Sequence, residues 1–496
     1  MKCNDTLLSH EAVLSLAIIR QGAKRGQEGM GSVSIVPIHL SSGSPDPLYV
    51  QVADQLAAAI REGEIAPGER LPSVRELARQ LEVNKVTVVN AYRRLVGHGL
   101  AVQKVGSGTF ACSSVEPLVD RPEHEIPSGA IDLATAMAPP DLFPMDDLQG
   151  CINQVLERDG YEALEYGEVQ GYGPLRDSLG EYVGARGIPS NPEGLHVVSG
   201  SQQGLDLMAK AALSPGDTVV VESPGYPGAR ACFQARGCQV EELPLGPEGP
   251  DGQSLKADLD RIKPRLVYVN PDYQNPTGAR YPLSVRQALL ESACRNGFWI
   301  LEDDFCSDLR YEGEPLPAIA SMEGQDRVIF MKSLSALTLP GLRLAILMVP
   351  PEMTAAVTRA KYLADIATGG LIQRAFDLFI REGHWESHIH QLREECSLRY
   401  RIATQRAADL MPQVQFHPPG GGLHLWLKLP AGVDADRLEE RARGRGVCIL
   451  AGSAFGGDSQ HIRLSFSGAP REDLATALHI LSRLIQGGRP SRRPLV

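Results

Sequence analysis

Apolar residues are spaced for three short helices between Leu48 and Gly97, and past Ile131 they change to short β-branched runs separated by longer helical stretches. One fold cannot carry both patterns, so the chain is read as a small helical head joined to a larger α/β body. In the head, Val52, Leu56, Ala59 and Ile60 recur at helical spacing, and PGERLPS then interrupts the pattern. Ser73 and Glu76 have the spacing of a capping box, and Leu77 and Leu81 give the helix behind them an apolar face. Asn84 is suited to cap a third helix that buries Val88, Ala91 and Leu95. The second and third helices make a helix-turn-helix pattern whose recognition helix begins with Lys85, Val86 and Thr87. LAVQKV and TFAC then flank Gly106–Gly108, as in a two-stranded wing.

In the body, LHVVSG, TVVVES, LVYVN and FWILEDD are short apolar runs with polar or small endings, alternating with helical stretches. This rhythm predicts a mostly parallel sheet flanked by helices, with ligands at the carboxyl ends of its strands. The expected organisation is an N-terminal extension over residues 1–46, the head over 47–112, a polar proline-containing linker over 113–129, the body over 130–487 and a tail over 488–496. Val13–Ile19 reads as a short helix or irregular chain, since no basic stretch precedes it as in a signal peptide. No apolar run reaches membrane-spanning length, and the cysteines are scattered without a C-x-x-C pair. Neither a disulfide framework nor a metal site is therefore expected, and the expected compartment is the cytoplasm.

The net charge of −11 taken alone opposes binding to nucleic acid. Its distribution points the other way, because Val83–Cys112 holds Lys85, Arg93, Arg94 and Lys104 and no acidic residue. A basic stretch is also compatible with a plain solvated face. The order of elements from Pro47 to Phe110 resembles the winged helix-turn-helix head of the GntR family along its full length. That resemblance implies double-stranded DNA as partner, contacted by Ser73, Arg75, Lys85, Thr87, Arg93 and the wing residues Gly106, Gly108 and Thr109. Arg and Lys suit phosphate and guanine, and Gly and Thr let backbone approach phosphates.

Along the body, YGEVQGYGPLR from Tyr166, SGSQQG from Ser199, ESPGYPG around Tyr226, NPTG from Asn275, EDD over Glu302–Asp304, SLSALTLPGLR from Ser333 and IRLSFS around Arg463 follow one another. Singly each is weak; in this order they resemble the class I, fold-type I aminotransferases, which bind pyridoxal phosphate. Head and body together resemble the MocR subfamily of GntR regulators. By that resemblance Ser201, Gln202, Ser333, Ser335 and Arg343 hold the coenzyme phosphate. Asp303 faces the pyridine nitrogen, Tyr226 stacks on the ring, and Asn275 donates to the phenolic oxygen. Arg463 grips a substrate carboxylate, and Tyr166 reaches the neighbouring subunit's phosphate, which implies a homodimer. The chemistry agrees: a phosphate needs N–H, hydroxyl and cationic donors, and a protonated ring nitrogen needs a carboxylate. On residue chemistry alone, Arg463 fits a structural ion pair and Asp303 an ordinary strand-end carboxylate.

One position departs from the resemblance. The family reads S-x-S-K, whereas this chain reads Ser333-Leu334-Ser335-Ala336. The missing lysine normally forms the Schiff base and moves the proton during transamination. Lys332 lies four residues earlier, a displacement of roughly 13 Å in extended chain, so it can substitute only if the backbone folds differently. Phe305 and Cys306 also stand where related proteins carry a tyrosine. The sequence therefore points to a regulator that senses pyridoxal phosphate or a related ligand without the usual covalent link, responding to a small effector such as an amino acid or a vitamin B6 form. The alternative is a pyridoxal-phosphate-dependent aminotransferase carrying a DNA-binding head.

Overall fold

The computed structural model describes residues 14–17, 37–40, 47–61, 64–65, 69–97, 100–104, 108–111, 126–322 and 325–487. The chain divides into two compact units, residues 1–121 and 122–496.

The first unit opens with an antiparallel pair, β1 (Leu14–Ala17) and β2 (Pro37–Leu40). This corrects the expectation of a short helix or irregular chain around Val13–Ile19. The strand reads Leu-Ser-Leu-Ala, so no local β-propensity announces it, and its pairing partner lies some twenty residues away. Ile38 and Leu40 are buried in the head's core, which therefore begins before Pro47. The helices are α1 (Leu48–Arg61), α2 (Val74–Gln80) and α3 (Lys85–Gly97). Each buries the apolar stripe expected of it, including Val52, Leu56, Leu77, Val88, Ala91 and Leu95. Ser73 Oγ accepts the Glu76 N–H at 3.2 Å and Asn84 Oδ1 that of Val86 at 3.0 Å, so the caps sit where the sequence places them. The Tyr92 hydroxyl donates to the Pro72 carbonyl at 2.7 Å and ties α3 to the turn before α2. The wing is β3 (Ala101–Lys104) paired antiparallel with β4 (Gly108–Ala111). Leu71 N–H to Thr109 O and Ala111 N–H to Glu69 O bond the 69–71 segment to its free side.

The second unit runs β5 (Ile131–Asp132), α4 (Met145–Asp159), α5 (Gly173–Gly184), β6 (Leu195–Val198), α6 (Ser201–Ala212), β7 (Thr218–Ser223), α7 (Pro227–Ala235), β8 (Gln239–Gly246), β9 (Gly249–Pro250), α8 (Leu255–Ile262), β10 (Leu266–Val269), α9 (Leu283–Asn296) and β11 (Trp299–Asp304). It continues with β12 (Val328–Ser333), β13 (Ala345–Met348), α10 (Pro351–Asp365), α11 (Gly370–Arg381), α12 (His384–Leu410), β14 (His424–Lys428), α13 (Ala435–Arg443), β15 (Val447–Cys448), β16 (Leu450–Ala451), β17 (His461–Ser465) and α14 (Arg471–Gly487). The main sheet has the order β6-β13-β12-β11-β10-β7-β8-β9. β13 runs antiparallel to both neighbours and β9 to β8; the remaining pairs are parallel. The four apolar runs read from sequence are β6, β7, β10 and β11. β6, β10, β11, β12 and β13 are buried at every position, as strands covered by helices on both faces must be. A smaller sheet of β14, β17 and β16 carries Arg463 on β17 and shares a core with α12, α13 and α14. Among the described residues, no helix is long and apolar enough to cross a membrane.

Candidate functional site

The carboxyl ends of β6, β7, β11 and β12 meet at one place, and most of the body's candidate residues lie there. Ser199 and Gly200 turn the chain from β6 into α6, whose first residues are Ser201 and Gln202. Gly200 holds φ +90°, and a Cβ there would lie 2.6 Å from Arg343 Nη2. Only glycine leaves room for that guanidinium, which donates to the Ser199 carbonyl at 2.7 Å. Arg343 itself sits in the left-handed region at φ +52° after the Pro340–Leu342 turn. Ser333 ends β12 and is buried, while the Ser335 hydroxyl lies 3.4 Å from the Leu344 carbonyl. Ser201 Oγ is buried with no hydrogen-bond partner among the described residues. Hydroxyls, a helix N-terminus and an arginine thus gather around one turn, the donor set a phosphate requires.

Asp303 lies on β11. Its Oδ2 accepts the Tyr268 hydroxyl at 2.7 Å, while its buried Oδ1 has no hydrogen-bond partner among the described residues. Burial pushes its carboxyl up to about 7, with the Tyr268 bond and the Lys332 charge opposing the shift. Tyr226 caps α7, packs against the core on that side of the sheet, and donates to Gln202 Oε1 at 3.0 Å. The Gln202 amide also donates to Gly228 O at 3.2 Å, so its side chain serves α7 and its backbone opens α6. Asn275 Oδ1 accepts from Arg463 Nη1 at 2.7 Å. Arg463 is buried, donates through Nη2 to Ala134 O, and lies 4.7 Å from the Phe455 ring centre. Trp426, the β14 partner of Arg463, lines a cleft of about 1170 Å³ together with Pro224, Thr277 and His461, and the Trp426 and His461 rings stack at 5.2 Å.

Ala336 is buried, and its carbonyl accepts the Ala138 N–H at 2.9 Å. Lys332 does not lie beside it. Successive strand residues face opposite sides of a sheet, and the register pairs Lys332 with Asp304 and Met331 with Asp303. Lys332 therefore shares Asp304's face, and Ser333 shares Asp303's. The Lys332 ammonium is fully buried, 3.0 Å from Asp304 Oδ1 and 2.5 Å from Asp308 Oδ2. Phe305 packs against the core and Cys306 is fully buried.

Tyr166 does not join this constellation within its own chain, being 85% exposed. Residues that sequence reasoning missed include Tyr268, which holds Asp303, and Glu222, which accepts from Asn270 N, Gln274 Nε2 and the Tyr281 hydroxyl at 2.7, 2.9 and 2.5 Å. Their signal was present as a hydroxyl and a carboxylate inside otherwise apolar strands.

In the head, Arg75, Lys85 and Arg93 are exposed, and Thr87 is half-buried in the first turn of α3. Ser73 is exposed but uses its hydroxyl as the α2 cap. Gly108 has φ +117°. Thr109 is 5% exposed, because alternation along β4 directs its side chain into the head, and its carbonyl accepts the Leu71 N–H at 2.8 Å. Gly106 lies outside the described residues.

The profile of the bacterial regulatory proteins of the gntR family matches residues 48–111, and that of the aminotransferases of class I and II matches residues 144–481. The chain is 32% identical over 390 residues to the 2-aminoadipate transaminase of Thermus thermophilus, covering 77% of this chain and 96% of that one. It is 28% identical over 425 residues to the probable rhizopine catabolism regulatory protein MocR of Rhizobium meliloti, covering 81% and 85%. Among solved structures, α-aminoadipate aminotransferase LysN of Thermus thermophilus, complexed with N-(5'-phosphopyridoxyl)-L-leucine, superposes with a TM-score of 0.69 at 32% identity, covering 73% of this chain and 94% of that one.

Proposed function

The chain belongs to the MocR subfamily of GntR-type transcription regulators, with a body of the class I and II aminotransferase family, and on that premise we propose that the body senses pyridoxal phosphate or a related vitamin B6 form without a covalent lysine link. The observation that carries this reading is the unpartnered, buried Asp303 Oδ1 on the same sheet face as Ser333, in a chain that has alanine at 336 where the family has lysine. The residues present fit the coenzyme. Ser201, Ser333, Ser335, Arg343 and the first N–H groups of α6 would hold its phosphate. Asp303 would keep its ring nitrogen protonated, Tyr226 would stack on the ring, and Asn275 would donate to its phenolic oxygen. When bound, the coenzyme supplies an electron-withdrawing ring bearing a carbonyl or amine.

The protein's own contribution is retention and orientation. Ala336 has no amine to shuttle a proton, so the body binds but lacks the group that drives turnover. Arg463, whose β14 partner Trp426 lines the large cleft, would pair with the carboxylate of an amino-acid effector. The head would grip double-stranded DNA through Arg75, Lys85, Thr87 and Arg93. Two copies would be joined through the surface around Tyr166, and the protein would act in the cytoplasm. Coupling requires that the coenzyme or effector bind two arrangements of the dimer with different affinity.

The test combines calorimetry, absorbance and borohydride reduction. Full-length protein should bind pyridoxal phosphate at one site per chain, operator affinity should change when it is bound, and reduction should leave every lysine unmodified. Absence of coenzyme binding, or a reducible link to a lysine, would overturn the reading.

A further inference from the structure

Far from the strand ends in sequence, α11 hands over to α12 through two residues, Glu382 and Gly383. Glu382 follows α11, Gly383 takes φ +81°, and His384 opens α12. The turn brings a carboxylate and an imidazole together, with His384 Nε2 3.3 Å from Glu382 Oε2. Facing them is α4, which presents Asp147 and Cys151 one helical turn apart. Cys151 is a free, buried thiol whose Sγ lies 3.8 Å from the same Glu382 oxygen. One donor atom from each of Cys151, Glu382 and His384 lies within 4.8 Å of the other two. On the far edge of the imidazole, Asp147 Oδ2 is 3.4 Å from Nδ1.

We propose that Cys151, Glu382 and His384 form a binding site for a divalent metal ion of borderline softness, Zn²⁺ or a close analogue, with Asp147 orienting the histidine. Two edges of the cluster have the length of a coordination shell's, and the third is within 4.8 Å. Tetrahedral zinc, with bonds of about 2.0–2.1 Å to nitrogen or oxygen and about 2.3 Å to sulfur, has ligand–ligand edges of about 3.3–3.8 Å. The measured edges from the Glu382 oxygen are 3.3 Å to nitrogen and 3.8 Å to sulfur. The donor set of thiol, imidazole and carboxylate is the one zinc selects. Asp147 adds a second carboxylate on the other edge of the ring: with Oδ2 3.4 Å from Nδ1, its charge favours the tautomer protonated there, which leaves the Nε2 lone pair for the metal.

Charge favours the same conclusion. Among the described residues, the ion pairs of Asp147 and Glu382 are with His384 alone. The adjacent Arg381 is directed to Asp377 at 3.0 Å. Three protein donors leave a fourth position to water, and the side chains of Glu382 and His384 are 37% and 29% exposed. The metal therefore exchanges with solvent and clasps α4 to the α11–α12 corner. Sequence spacing hid the site, because its two halves are 231 residues apart.

The test uses the full-length chain stripped by chelator and titrated with Cd²⁺ or Co²⁺ alone, reading thiolate-to-metal charge-transfer absorbance, with Zn²⁺ as competitor. One equivalent per chain should produce the band, and Zn²⁺ should displace it. Cys151→Ser should abolish it, Glu382→Gln and His384→Ala should weaken binding at least tenfold, and Asp147→Asn about 10–100-fold. No band, or an undiminished band in Cys151→Ser, would overturn the proposal. Glu382→Gln changes a partly exposed group. Unchanged metal affinity in that variant, with circular dichroism confirming the fold, would overturn it even if Cys151→Ser failed to fold.

Discussion

Lys332 and Asp303 lie on adjacent strands of the same sheet yet face opposite sides of it. The Lys332 ammonium is 3.0 Å from Asp304 Oδ1, away from the face that carries Asp303 and Ser333. A lysine locked between Asp304 and Asp308 cannot take over the role lost at Ala336. Borohydride reduction of coenzyme-treated protein followed by peptide mass spectrometry should leave Lys332 unmodified. Lys332→Met should destabilise the body by about 3–5 kcal/mol, because it strands buried carboxylates, while leaving the coenzyme's covalent status unchanged. A reduced adduct on Lys332 would contradict the register described above.

Ala336→Lys returns the missing amine to the S-x-S-K motif. If Ser201, Ser333, Ser335, Arg343 and Asp303 hold the coenzyme as proposed, this variant should acquire a reducible covalent link at position 336. Absorbance before and after borohydride, with peptide mapping, reads the outcome. A variant that binds the coenzyme but forms no link at 336 would show that its carbonyl is held elsewhere.

What could be read from sequence was mainly local. Caps at Ser73 and Asn84 and the apolar stripes of α1 to α3 depend on residues a few positions apart, and the structure follows them. β6, β7, β10 and β11 were legible because their apolar runs stop at polar residues. β12 was less so, because its four apolar residues run into Lys332, a charge that is buried inside the strand only because carboxylates on a neighbouring strand and loop receive it. The candidate site divides in the same way. Motif order assigned Asp303, Asn275 and Arg463 to one site, and the structure pairs Asn275 with Arg463, but Tyr268 as the partner of Asp303 depends on strand register. The burial of Thr109 depends on alternation within β4.

Asp303 also predicts a pH effect. Its carboxyl is raised by burial to about 7, above the ordinary value of 3.8. The ligand-free folded state therefore binds this proton more tightly than the unfolded chain. The stabilisation from this group is fully present below about pH 4 and is lost as pH rises toward 7. Asp303→Asn removes the charge and keeps an acceptor for Tyr268. At pH 8 the ligand-free variant should be more stable than the parent by about 1–4 kcal/mol, and near pH 4 the difference should vanish. Its coenzyme affinity should fall about 10- to 100-fold, the loss of one charge-assisted bond. Urea denaturation at the two pH values and calorimetry check both halves.

In the head, Arg75 and Lys85 are exposed at the start of α2 and α3, where a recognition element meets DNA. Arg75→Ala and Lys85→Ala should each weaken operator binding. A substitution that removes a phosphate contact should also lower the slope of log affinity against log salt by about one. Fluorescence anisotropy over a salt series separates that case from base readout, which relaxes sequence preference instead. Equal affinity and equal slope in both variants would contradict the assignment of these residues.

The remaining exposed apolar surface makes a prediction about assembly. Tyr161, Leu164, Tyr166 and Leu363 are 72, 68, 85 and 75% exposed, and Tyr362 is 56% exposed. The 161–166 segment packs beside the first residue of α11, where a Cβ on Gly370 would lie 3.0 Å from Ala163 O. Large side chains left this open mark a contact surface, since burying apolar area contributes about 25 cal/mol per Å². If two copies meet here, Leu164→Glu with Leu363→Glu should convert a dimer to a monomer in sedimentation velocity while each chain stays folded. Operator affinity should fall as well, because two heads on one dimer bind at high effective concentration and a lone head does not. A double variant that sediments with the parent would place the interface elsewhere and remove Tyr166 from the neighbouring subunit's site.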